Sequence, residues 1–275
     1  MSQRWPGGLI KPTPITPTGP YQDGSASGVW TLDQMEYWLQ QGLWPIAGNL
    51  LQIGLFAGGY NPNTSSRTNV ISTISIPSTG NATDFGDLSS EKNFMGACGS
   101  SIRGIFAGGD GAVTPTNVIE YVTFASAGNV TDFGDLLAAD INITGVNSST
   151  RGVFAGSNNT IQYITIATTG NATDFGDLIT AFLSLSAGIS SSTRGVFAGG
   201  NNSGAINIIQ YITIASTGNA ADFGDLLSVN RYGAGCSSST RGLSGGGESG
   251  STQTNTIEYI TIASTGNGAD FGVLS

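Results

Sequence analysis

The chain has 275 residues, 39% of them hydrophobic and only 10% charged, with 42 glycines and a formal net charge of -9. An average soluble domain is roughly 25% charged, so this chain has little material for long polar helices and must build from backbone ladders, tight turns and small side chains. Two lysines and seven arginines make no basic footprint, which excludes nucleic acid and an anionic membrane surface as expected partners.

The chain carries no apolar run of about 18 residues that would read as a membrane span, and no histidine. His-dependent triads and His-based zinc sites are therefore excluded.

Residues 1–30 read as an extended arm, punctuated by Pro6, Pro12, Pro14, Pro17 and Pro20. Residues 1–20 lack the apolar stretch of a secretory signal. Thr31 then offers an N-cap, with Gln34 completing a capping box. Leu32, Met35, Trp38 and Leu39 form an apolar stripe that Gly42 closes. The pattern predicts one short amphipathic helix over 32–41 within a segment 31–42, too short to stand without a docking surface. All four tryptophans, Trp5, Trp30, Trp38 and Trp44, fall in or beside this region. They either cover the open edge of the repeats that follow or anchor the chain to another protein.

Residues 43–275 are five copies of one unit. Its fixed phrase is TGNATDFGDL or a near variant, with central phenylalanines Phe85, Phe133, Phe175, Phe223 and Phe271 spaced 48, 42, 48 and 48 residues apart. Such a period marks stacked or radially arranged supersecondary units. Upstream of each phrase lies a strand such as NVIEYVTF (117–124) or NTIEYITI (255–262), rich in Ile, Val, Thr and Tyr. Tyr121, Tyr163, Tyr211 and Tyr259 recur twelve residues before the phenylalanine, and Thr73 stands there in the first copy.

Further upstream is a strand such as GIFAGG (104–109), whose terminal glycines permit positive φ or close backbone approach. It is preceded by a small-residue strand such as SAGISSST (186–193), suited to a crowded inner position. The linker after the glycines varies in length, as a surface loop can.

Four short antiparallel strands per unit predict an all-β fold, a β-propeller of five four-stranded blades; an elongated β-solenoid is the rival. All five copies end in the same phase, so no strand is left over for a clasp. The first copy is atypical, with Ile53 for the repeated arginine and LWPIAGN (43–49) for the small-residue strand. Five blades can close a ring, or a further blade can come from elsewhere. Cys98 and Cys236 occupy equivalent positions in two non-adjacent copies and read as small hydrophobic residues rather than a disulfide.

Over 43–275 the strand order resembles the Kelch repeat of β-propellers. Gly58–Gly59, Gly108–Gly109 and Gly199–Gly200 match the Kelch glycine pair, and the four tyrosines match its tyrosine. Phe133, Phe175, Phe223 and Phe271 stand where that family has tryptophan, a departure, as is the five-fold count. The stretch GVWTLDQMEYWLQQGLWP (28–45) is similar to a segment of structural proteins of tailed bacteriophages, notably cyanophage-like ones. That resemblance implies a virion protein, assembled in the host cytoplasm, present in multiple copies and attached to other virion proteins by its arm.

The repeated acids, Asp84, Asp132, Asp174, Asp222 and Asp270, read as structural turn residues whose side chains accept backbone N–H groups. Calcium at each turn is the alternative. Arg103, Arg151, Arg194 and Arg241 recur at one position. They either pair with the repeated aspartates between units or form a positive ring able to hold an acidic glycan.

Catalytic carboxylates act as an asymmetric pair, and a side chain repeated in every unit is not one. No catalytic residue, metal or cofactor is therefore assigned. The expected function is a non-enzymatic tail, fibre or surface-knob component whose face is available to host surface glycan or protein. A glycan-active propeller enzyme and a capsid decoration protein without receptor binding are the alternatives.

Overall fold

The computed structural model describes residues 4–5, 8–9, 53–111, 115–180 and 184–275. The chain divides into two compact units, 1–52 and 53–275. In the first, the described backbone is an antiparallel pair, Arg4–Trp5 with Gly8–Leu9. Trp5 thus lies in a strand. The helix expected over 32–41, and Trp30, Trp38 and Trp44, lie outside the described residues.

Residues 53–275 are all β, with five antiparallel sheets arranged as successive propeller blades. Blade two runs Gly96–Gly99, Arg103–Ala107, Val118–Thr123, Thr131–Asp135, each strand pairing with the next. Blades three to five repeat this four-stranded meander, so the predicted strand assignment within the repeat holds. Blade one shows three strands, Ile53–Ala57, Val70–Ser75 and Thr83–Asp87. Its predicted first strand, over 43–49, lies outside the described residues.

The small-residue strands are innermost, as expected. Those of consecutive blades approach backbone to backbone: a Cβ on Gly235 would sit 2.8 Å from the Gly188 carbonyl oxygen. The glycine pairs end their strands with positive φ, 63° and 103° at Gly108 and Gly109. Loops beyond them differ between blades: two carry small extra hairpins, and in blade two Asp110–Gly111 pairs with Lys92–Asn93.

No single sheet can bury both of its apolar faces, and the core lies between sheets. Phe133, Leu136 and Ile119 of blade two pack with Phe154, Ile164 and Ile166 of blade three. Equivalent clusters join blades one and two, three and four, and four and five. Among the described residues, neither these clusters nor the backbone hydrogen bonds join blade five to blade one. No helix among the described residues is long and apolar enough to cross a membrane.

Candidate functional site

The repeated phrase builds the junction between blades. In blade two, Ile119 faces Gly134 and Glu120 faces Asp132, so Phe133 is the extra residue of a β-bulge. The bulge drives the Phe133 ring inward, edge-on to Tyr121 at 5.8 Å, and turns its carbonyl toward the next blade. There the Gly170 amide donates to it at 2.7 Å, and the Ala172 amide donates to the Asp135 carbonyl at 2.8 Å. Asn171 completes the latch: its Oδ1 accepts the Asp135 amide at 3.0 Å. Asn129, Asn219 and Asn267 do the same at the other three junctions.

Gly134 is needed twice over. Its φ is 142°, and a Cβ would lie 2.5 Å from the Gly170 carbonyl.

This corrects the expectation for the aspartates. The side chains of Asp84, Asp132, Asp174 and Asp222 are exposed and accept no turn amide; only Asp270 does, from Gly272 at 3.2 Å. The residue accepting backbone N–H groups is the asparagine of TGN, on the neighbouring blade. Its signal was present, since Asn81, Asn129, Asn171, Asn219 and Asn267 recur as strictly as the aspartates. Among the described residues no three acidic or cysteine side chains converge as metal ligands would.

The arginines also belong to the junctions, but not as partners of aspartate. Arg103, Arg151 and Arg194 donate to the carbonyls of Ile166, Ile214 and Ile262 on the next blade at 2.8, 2.9 and 2.9 Å. Each lies over the tyrosine of its own blade, at 4.4, 4.3 and 4.6 Å. Arg241, in the last blade, keeps the stacking on Tyr259 at 4.4 Å and is exposed.

A return contact crosses each junction. Gln162 and Gln210 accept the amides of Leu137 and Ile179 of the preceding blade, both at 2.8 Å. Glu258 accepts that of Leu227 at 2.7 Å. Burial pushes the Glu258 carboxyl up, only partly offset by the Leu227 and Ser228 amides. At the same position Glu120 is engaged by Ser89 and, at 2.9 Å, by the buried ammonium of Lys92.

Cys98 and Cys236 are both free thiols. The Cys98 sulfur packs where a Cβ on Gly152 would be, and burial raises its thiol pKa.

Three carboxylates that occur in one blade only are engaged by neighbouring groups. Asp110 pairs with Arg67, and Glu248 pairs with Arg231 at 3.1 Å. Asp140 accepts the amides of Ile141 and Ser157 at 2.8 and 3.1 Å.

Blade one departs from the others at the two positions of the arginine–tyrosine stack, with Ile53 and Thr73. Both line a cavity of about 330 Å³, together with Ser75, Ser78, Asn81 and Thr83. Its polar wall is hydroxyls and one amide, and Thr73 Oγ1 is buried without a hydrogen-bond partner.

The fold and these junctions define a repeat scaffold of the β-propeller class. No protein-family model matches the sequence, and no curated protein matches it.

Proposed function

We propose that the chain is a non-enzymatic structural protein of a virion, a tail, fibre or surface-knob component held by its N-terminal segment. The repeat domain displays a neutral glycan-contact site in blade one. Kelch-like strand order describes the scaffold, and the bacteriophage-like stretch 28–45 supports the mounting role. One observation carries the binding reading: the repeated polar side chains are occupied in joining blades, whereas blade one leaves a hydroxyl-lined cavity at Thr73. A wall of hydroxyls and an amide suits the hydroxyls of an uncharged sugar. Arg103, Arg151 and Arg194, bound to carbonyls, are poorly placed to serve an acidic one.

Two measurements test this. An electron-microscopy map of the assembled particle is expected to show the repeat domain in multiple copies, mounted through residues 1–52. A chain found only free of particles sinks the virion assignment. A glycan array probed with the whole chain is expected to give binding that Thr73→Tyr abolishes, because the tyrosine of the other blades then fills the cavity. Binding left intact in that variant removes the cavity from the function.

A further inference from the structure

The geometry points to a second copy of this chain as the occupant of the two terminal blade faces, with blade one of one copy latched onto blade five of another. The occupied junction occurs four times within the described residues. A blade's forward face presents the bulged phenylalanine and the leucine after it. Its backward face presents the FAGG phenylalanine, the hydrophobic residue just after the third strand and the Gly-Asn amides.

Among the described residues, nothing covers either face at the ends of the array. Forward on blade five, Phe271 is 51% exposed and Leu274 is 48% exposed, whereas Phe223 and Leu226 are 2% and 4% exposed. Backward on blade one, Phe56 is 62% exposed and Ile76 is 63% exposed, whereas Phe197 and Ile214 are 0% and 1% exposed. The bulge glycine is uncovered too: a Cβ on Gly272 would meet nothing within 4 Å, whereas one on Gly134, Gly176 or Gly224 would lie 2.5 Å from the carbonyl oxygen of the next blade's glycine.

The two faces are complementary because each is one half of the same repeated interface. A closer register shows in the inner strands. Cys98 packs on Gly152, Val146 on Gly195 and Ile189 on Gly242, each side chain closing on the glycine after the arginine position of the next blade. The next member of that series places Cys236, exposed at the end of the array, on Gly54 of a second copy. Among the described residues, a Cβ on Gly54 would meet Ile74 alone, at 3.1 Å. The contact is head to tail, so it is heterologous: it grows or closes a ring, rather than forming a two-fold pair.

The test uses the full chain with Cys98→Val, the residue blade three carries there, and Gly54→Cys. A cysteine Cβ at the glycine position lies within disulfide reach of the facing sulfur, as the 2.5 Å between a Gly152 Cβ and Cys98 Sγ shows. Mild oxidation is expected to give reducible dimers and longer species on a denaturing gel. A cross-linked monomer overturns the proposal in favour of closure within one chain. No cross-link overturns it in favour of another cover, such as residues 1–52.

Independently, sedimentation of the unmodified chain is expected to show association. Phe271→Arg weakens it about tenfold or more, the loss of one buried aromatic, while its circular dichroism stays unchanged. Phe56→Arg and Phe271→Arg chains, each blocked at one end, are expected to pair when mixed and to stop at dimers. A monomeric unmodified chain, or variants that associate as it does, rejects the head-to-tail contact.

Discussion

The Gly170 amide donates to the Phe133 carbonyl at 2.7 Å, and the bond recurs from Gly128 to Phe85, Gly218 to Phe175 and Gly266 to Phe223. Four copies of one hydrogen bond, each made through a bulge, hold the blades in series. Gly134→Ala tests what the bulge glycine supplies. It combines a strained φ with a Cβ against the Gly170 carbonyl, and is expected to cost about 2–4 kcal/mol in urea unfolding. Gly272→Ala has a similar φ of 144° with nothing near its Cβ. At a dilution where the chain is monomeric it is expected to cost about half as much, the strain alone. Equal costs would mean that the close approach contributes nothing.

The arginines separate in the same way. Arg151→Ala loses a charge-assisted bond to the Ile214 carbonyl and a stacking contact on Tyr163, and is expected to lower stability by about 2 kcal/mol. Arg241→Ala loses stacking alone, for about 0.5 kcal/mol. Thermal unfolding of the two variants side by side checks the difference. A larger effect at Arg241 would show that its guanidinium has a partner beyond its own blade.

Lys92 and Glu120 form a buried pair, 2% and 1% exposed. Lys92→Met leaves the carboxylate uncompensated and is expected to cost about 3–5 kcal/mol. Adding Glu120→Gln, the residue blades three and four carry, is expected to recover most of that loss. A double-mutant cycle in urea measures the coupling, and strict additivity would contradict it.

Glu258 gives a pH dependence opposite to the usual carboxylate. Burial raises its folded pKa above the unfolded value, so the folded state holds the proton more tightly. Stability is therefore fully retained below the ordinary glutamate range and is lost as pH rises through the folded pKa. Glu258→Gln, copying Gln162 and Gln210, removes that loss. Melting temperatures are expected to be higher for the variant at neutral pH and to converge with the parent as pH falls. A gap that widens on acidification would reverse the sign.

The meander within each repeat was legible because strand chemistry and turn glycines are local. Val118–Thr123 carries its β-branched pattern in the sequence, and Gly108–Gly109 its turn. Partnership across the junction was not. Asp132 reads as a turn acceptor because DFGD contains it, yet the acceptor is Asn171, in the connection that precedes the last strand of the next blade. Arg151 was expected to seek an aspartate, and sequence cannot announce a backbone carbonyl as partner. Exposure is equally hidden: Phe223 and Phe271 sit in nearly the same words, ADFGDL and ADFGVL, and only the presence of a following blade buries the first. The cavity in blade one was visible only as two substitutions, Ile53 and Thr73, whose joint effect is spatial.

The uniformity of the latch has a consequence for length. Each blade offers the same acceptor forward and the same donor backward, so any forward face matches any backward face. Excising one whole period from the middle of the array leaves two halves that still fit, and inserting one adds a junction like its neighbours. Array length is thus a discrete quantity that can change by whole repeats without redesign of any interface, whereas a change of a few residues is tolerated only in the loops beyond the glycine pairs.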